Sequence, residues 1–155
     1  NIKNNNFEKA IEFLKKAIEF ETSNDKKATY QYQLAVLLNN KLDNQPEAVM
    51  YAKQAIENRM GWGDPYFIIA QAYVAGIKEC TDENFKRQAI YWLAVDYCRK
   101  AKAVDPSVST KANELISQYQ NNYPSMEEAF FRSLSEGDKY SFDCWINETT
   151  TVKTK

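Results

Sequence analysis

The chain has 155 residues, with 20 Lys plus Arg against 21 Asp plus Glu, a net charge of -1 and no histidine. That balance shows neither the basic footprint of a nucleic-acid binder nor an acidic tail, and without imidazole no Cys-His dyad, Ser-His-Asp triad or ordinary zinc site can be assembled. Ten Tyr and eight Phe beside only four Gly and four Pro argue for one folded, helix-rich domain rather than a disordered segment or a turn-rich sheet protein.

The first predicted element is FEKAIEFLKKAIEFET (7–22), a helix carrying Ala10, Leu14 and Ala17 on one face. Next comes YQYQLAVLL (30–38), with Leu34, Ala35 and Leu38, and then PEAVMYAKQAIENRM (46–60), with Ala48, Ala52 and Ala55. Asp64-Pro65 sets a capping residue before a proline at the first helical position, opening YFIIAQAYV (66–74) with Ile69, Ala70 and Tyr73; Gln45-Pro46 does the same more weakly. After IKECTDENFKRQ (77–88), Thr81 to Asn84 can start a long helix ending in YWLAVDYCRKAKAVDPS (91–107), with Ala94, Cys98 and Ala101. Residues at i, i+4 and i+7 share a helical face. Three such triples, each with Ala at both ends, mark faces where another helix approaches closely.

Two further helices follow. Ser107 or Ser109 can cap TKANELISQYQNNY (110–123), and Ser125 with Glu128 forms a capping box for MEEAFFRSL (126–134). The ending DKYSFDCWINETTTVKTK (138–155) alternates Tyr140, Phe142, Cys144 and Ile146 against Ser141, Asp143, Trp145 and Asn147, the period of a strand. A lone strand is not stable, so this tail must pair with itself, pair with another chain, or lie over the last helices. Capping those helices, with Phe142, Trp145 and Ile146 against Tyr119 and Phe130, is the expectation.

The alternation of a large-small-large helix with an Ala-striped helix resembles the tetratricopeptide repeat (TPR) family. Tyr66 fills that pattern's early aromatic position and Pro106 its closing proline. The resemblance covers roughly residues 7 to 106 and departs from the usual period of about 34 residues. Gln31 replaces the early aromatic of the preceding unit, and only one unit closes with proline. The segment CWINETTTVK also resembles the C-termini of TPR proteins from Gram-negative gut anaerobes. The resemblance implies an all-α superhelix of antiparallel hairpins in three parts: repeats over 1–106 with the first truncated, capping helices over 107–136, and an extended tail over 137–155. The small stripes then become seams between the two helices of each pair.

The resemblance also implies a concave groove for a peptide or protein segment. Carried over by position, the groove takes Thr29, Tyr32, Gln33, Val36, Asn39 and Asn40 from one helix. From the other it takes Phe67, Ile68, Gln71, Val74 and Ala75. Tyr32, Val36 and Phe67 stand where carboxylate-gripping relatives carry charge, so an extended neutral peptide fits better; packing against a neighbouring repeat or the tail is the alternative role. No catalytic constellation is visible: Asp82-Glu83 and Glu127-Glu128 sit at helix starts, where carboxylates complement the dipole, and Trp62, Trp92 and Trp145 read as packing anchors. The four glycines form no phosphate loop or dinucleotide fingerprint, so no cofactor, metal or enzymatic activity is expected. The apolar run Ala89 to Val95 is too short for a membrane span.

Cys80, Cys98 and Cys144 lack metal spacing. They read as small buried residues or, more sharply, as a Cys80–Cys98 disulfide that leaves Cys144 unpaired and needs an oxidising compartment. The opening at Asn1 without Met reads as a mature form or an excised fragment and leaves export open, which tilts the expected location toward the periplasm or cell envelope. Self-assembly of a cell-envelope complex through the array ends is the alternative function.

Overall fold

A computed structural model describes residues 2–155, apart from the side chains of Ile2 and Asn4. The described chain is predominantly helical, with one small two-stranded sheet. Helix α1 (Ile2–Phe20) leads into the hairpin α2 (Asn24–Lys41) and α3 (Gln45–Asn58), then α4 (Asp64–Ala75), the single turn α5 (Ile77–Cys80) and the long α6 (Asn84–Val104). A 3-10 turn over Pro106–Val108, α7 (Ser109–Gln120) and α8 (Met126–Phe131) follow, and β1 (Lys139–Ser141) pairs antiparallel with β2 (Thr149–Thr151), Tyr140 opposite Thr150.

Capping chemistry explains most boundaries. Ser23, Asn44 and Ser125 each accept a hydrogen bond from the backbone N–H three residues on, satisfying donors that the first helical turn leaves free. Pro46 sits in the first turn of α3, where its missing N–H costs nothing. Asp64 does not cap α4: it is the first helical residue, and its carboxylate accepts from the Trp62 indole at 2.9 Å. Neither Ser107 nor Ser109 caps α7. Asp105 instead accepts from the Ser107 N–H and stops α6. Helix α8 ends at Phe131, short of residue 134, because Ser133 takes a left-handed φ of 59°.

From α1 to α7 each helix packs on the next, and α2 also touches α4. The stripes Ala48-Ala52-Ala55 and Ala94-Cys98-Ala101 have no exposed surface. Ala48 clusters with Leu34 and Leu38 of α2, and Ala52 joins the main core with Ala35 and Phe67, so the methyl groups do lie in the seam between paired helices. The turn before α4 is equally tight. A Cβ on Gly63 would stand 2.6 Å from the Val108 side chain and 3.1 Å from the Ala101 carbonyl, and the Gly63 N–H donates to Asp105 at 3.0 Å.

The tail differs from expectation in two ways. It pairs with itself, and its hairpin covers α4, α5 and α6, while only Lys153 to Lys155 lie beside Tyr123 and the start of α8. Tyr140 packs edge-on against Phe85 and Trp92, and Trp145 lies against Tyr73 and donates to the Gly76 carbonyl at 3.0 Å. Phe130 stays exposed, while Tyr119 packs on Tyr91 of α6. The hairpin goes where large aromatic rings and close-approach glycine leave a matching surface. The disulfide differs too: Cys80 of α5 bonds Cys144 of the tail, and Cys98 is free and buried in its stripe. Cys98 fits that seam as a small apolar residue, and Cys80 takes Cys144 instead.

Candidate functional site

Phe13 and Phe20 of α1 and Phe130 and Phe131 of α8 are left exposed, and one face of α2 forms an open apolar depression. Tyr32, Gln33, Val36, Leu37, Asn40 and Lys41 line an open depression of about 370 Å³. Tyr32, Val36 and Asn40 follow at four-residue steps, so the face runs about 12 Å along the helix. Gln33, Asn40 and Lys41 are exposed, and the apolar side chains among them are half-buried. The result is an apolar strip edged by two amides and one ammonium.

An aromatic cluster closes one end of the strip. Tyr32 packs against Trp62 with ring centroids 4.8 Å apart, and the Arg59 guanidinium lies 4.5 Å from the centre of the Trp62 ring. Burial, and then the Asp64 charge, raise the pKa of the Tyr32 phenol, which holds it neutral as a donor or acceptor. Thr29 is occupied locally: its hydroxyl donates to the Asp25 carbonyl and accepts from Arg59 at 3.5 Å. Asn39 donates to Asn40 at 3.2 Å, and its own carbonyl oxygen is buried without a partner.

The structure thus brings Tyr32, Gln33, Val36 and Asn40 together and adds Leu37 and Lys41, which the family pattern did not mark. Helix α4 contributes no matching half. Phe67 has no exposed surface and Ile68 is 6 % exposed, so both belong to the core and not to a groove. The Lys111 ammonium of α7 covers the Phe67 ring at 4.9 Å. Gln71 and Val74 are half-buried on the same helix and line none of the depression, while Ala75 is exposed. The reason is legible in the sequence: Phe67, Ile68, Ile69, Ala70, Ala72 and Tyr73 leave α4 apolar nearly all round, the pattern of a central helix.

Two polar clusters tie the tail down. Glu148 accepts from the hydroxyls of Tyr73 and Tyr97, the latter at 2.6 Å, and lies 3.6 Å from the Lys53 ammonium. Asp96 accepts from Thr150 at 2.5 Å and pairs with the Lys153 ammonium at 2.9 Å. Lys153 also donates to Thr150 at 3.0 Å, and desolvation outweighs Asp96 in pulling its pKa below the ordinary lysine value. A hydroxyl beside an ammonium is the layout of an activated nucleophile. Thr150, however, is only 3 % exposed and spends its proton on Asp96, so no substrate atom reaches it. Among the described residues no three Asp, Glu or Cys side chains gather to hold a metal ion, and no helix is long and apolar enough to cross a membrane.

No family model, curated protein or solved structure matches this chain.

Proposed function

We propose that the chain is a non-enzymatic interaction scaffold, a TPR-like superhelix that holds a peptide or protein segment along α2. The apolar strip of Tyr32, Val36 and Leu37 carries this reading, because it lines an open depression whose rim supplies amides beside the apolar side chains. Gln33 and Asn40 supply donors and acceptors for polar groups of a bound segment, and an uncharged segment fits their amides. The Cys80–Cys144 bond supports a periplasmic or cell-envelope location, since such bonds persist in oxidising compartments. A displayed random-peptide library selected against the protein tests the reading. Selected peptides should lose most of their affinity on Gln33→Ala with Asn40→Ala, two exposed changes that leave the fold alone. Peptides that bind this variant as well as the parent would place partner binding elsewhere.

A second reading, self-assembly through the array ends, is favoured by the exposure of Phe13 and Phe20 on α1 and of Phe130 and Phe131 on α8. Sedimentation of the protein with Phe130→Ser and Phe131→Ser decides it: assembly that persists unchanged rejects α8 as a contact.

A further inference from the structure

The chain's internal repetition indicates what the open face of α2 receives. Aligning Leu34-Ala35-x-x-Leu38 with Ile69-Ala70-x-x-Tyr73 sets Gln33 against Ile68 and Leu37 against Ala72. In the second hairpin those two positions are buried, in a helix packed against α2. In the first hairpin Gln33 is exposed and Leu37 half-buried. The Ala-striped helices tell the same story independently. Ala48 and Ala55 of α3, and Ala94 and Ala101 of α6, have no exposed surface. Their counterparts on α1, Ala10 and Ala17, are half-buried, and beside them Phe13 and Phe20 stand 69 and 77 % exposed.

The register shows that the two open flanks face one place. In α3, Ala48 clusters with Leu34 and Leu38 of the helix before it, whereas Val49, one position on, joins the core built by α4 and α6. The same register on α1 sends Ile11 and Ile18 toward α2, where they pack on Leu34 and Leu38. It turns Ala10 and Ala17 toward the position that α2 holds relative to α3. On α2, Leu37 lies beside Leu34 on the helical wheel, so its open flank continues the α1–α2 interface.

We infer that α1 and α2 together form a seat for an amphipathic α-helix, docked as α2 docks on α3 and α4. The inference rests on the partner-binding reading of α2 and names the segment bound: a helix presenting a small residue beside large ones, as Leu34-Ala35-x-x-Leu38 does. A helix satisfies its own backbone donors and acceptors, so it can cover Leu37, Phe13 and Phe20 without stranding polar groups. The small stripe on α1 admits its close approach. An extended segment would have no use for that stripe.

The probe is a synthetic peptide with the sequence of residues 24–41, titrated against the full 155-residue chain. Fluorescence anisotropy should show saturable binding, and far-UV circular dichroism a gain of helix beyond the sum of the parts. Leu37→Glu or Ala17→Arg in the protein should weaken binding by about tenfold or more, with melting curves confirming that both variants fold. Ala35→Pro in the peptide should abolish binding, since proline breaks a helix interior. Binding without helix gain, or indifferent to Ala35→Pro, overturns the helical seat in favour of an extended ligand. Absence of any binding overturns the seat as well. Library peptides that still depend on Gln33 and Asn40 would then leave the broader partner-binding reading standing.

Discussion

A methyl group is the largest side chain the α2–α3 seam accepts at Ala48, Ala52 and Ala55, all three without exposed surface. Ala52→Leu should therefore overpack the seam and cost roughly 1–3 kcal/mol, read as a fall in the denaturant midpoint; an unchanged midpoint would mean the helices can move apart freely. Gly76 imposes a similar limit where the tail docks. A Cβ there would stand 2.5 Å from Cζ2 of Trp145, whose indole is held by the Gly76 carbonyl itself. Gly76→Ala should displace that indole and quench or shift its fluorescence while the helical signal persists. The small residues of the stripes were legible because their spacing is a local property of one helix. The cysteine pairing was not, because spacing along the chain carries no distance in space: Cys98 shares its stripe with Ala94 and Ala101, whereas Cys144 reaches Cys80 only through the course of the tail. Phe67 misled for a related reason. Its position in the repeat pattern marks a groove, but the all-round apolar character of α4 overrides position.

The tail hairpin is the element that departs most from a plain helical array. Its period-2 alternation marked an extended segment, but only Tyr140 and Ser141 of that run lie in a strand; Phe142 and Ile146 are buried from the loop between β1 and β2. Which helices it would cover was not legible, since alternation fixes the face of a strand and not its destination. The destination is set by partners scattered over three helices: Lys53 of α3, Tyr73 of α4, and Tyr97 and Asp96 of α6. The Cys80–Cys144 bond adds a covalent tie across a sequence separation of 64. By loop-closure entropy such a link contributes on the order of 4 kcal/mol, so reduction, or Cys80→Ser, should lower the melting temperature by many degrees. Similar melting of the oxidised and reduced forms would show that the noncovalent ties alone set the tail's stability. Deleting residues 138–155 should go further, uncovering Tyr73, Phe85, Trp92 and Tyr97 and promoting association. A truncated chain that stays monomeric and equally stable would remove the hairpin from the fold's energetics.

Across the whole molecule the distribution of titrating groups is lopsided, and it sets a pH dependence that no single element shows. The chain has no histidine, so nothing with that side chain's ordinary pKa titrates near neutrality. Tyrosines are the groups most perturbed. Burial is the first cause raising the phenols of Tyr32, Tyr73, Tyr91, Tyr97, Tyr119, Tyr123 and Tyr140 above their ordinary value of 10.0, with Tyr123 pushed up to about 12. Burial likewise pushes the Cys98 thiol from 9.0 to about 12. A group whose folded pKa is raised binds its proton more tightly in the folded state. Its contribution is complete below the unfolded value and is lost as pH climbs through the folded one. Lys153 runs the other way: its depressed pKa makes folding easier as pH rises toward 10.5. One lysine cannot offset seven phenols and a thiol. Stability should hold level from about pH 6 to 8 and then fall progressively, beginning near pH 9 with Cys98 and steepening from pH 10 to 12 as the phenols ionise. Urea midpoints taken across that range check it, with ultraviolet absorbance reporting tyrosinate. Tyrosinate should appear together with unfolding. If most phenols ionised near pH 10 while the helical signal stayed intact, the aromatic core joining α4, α6 and the tail would be open to water.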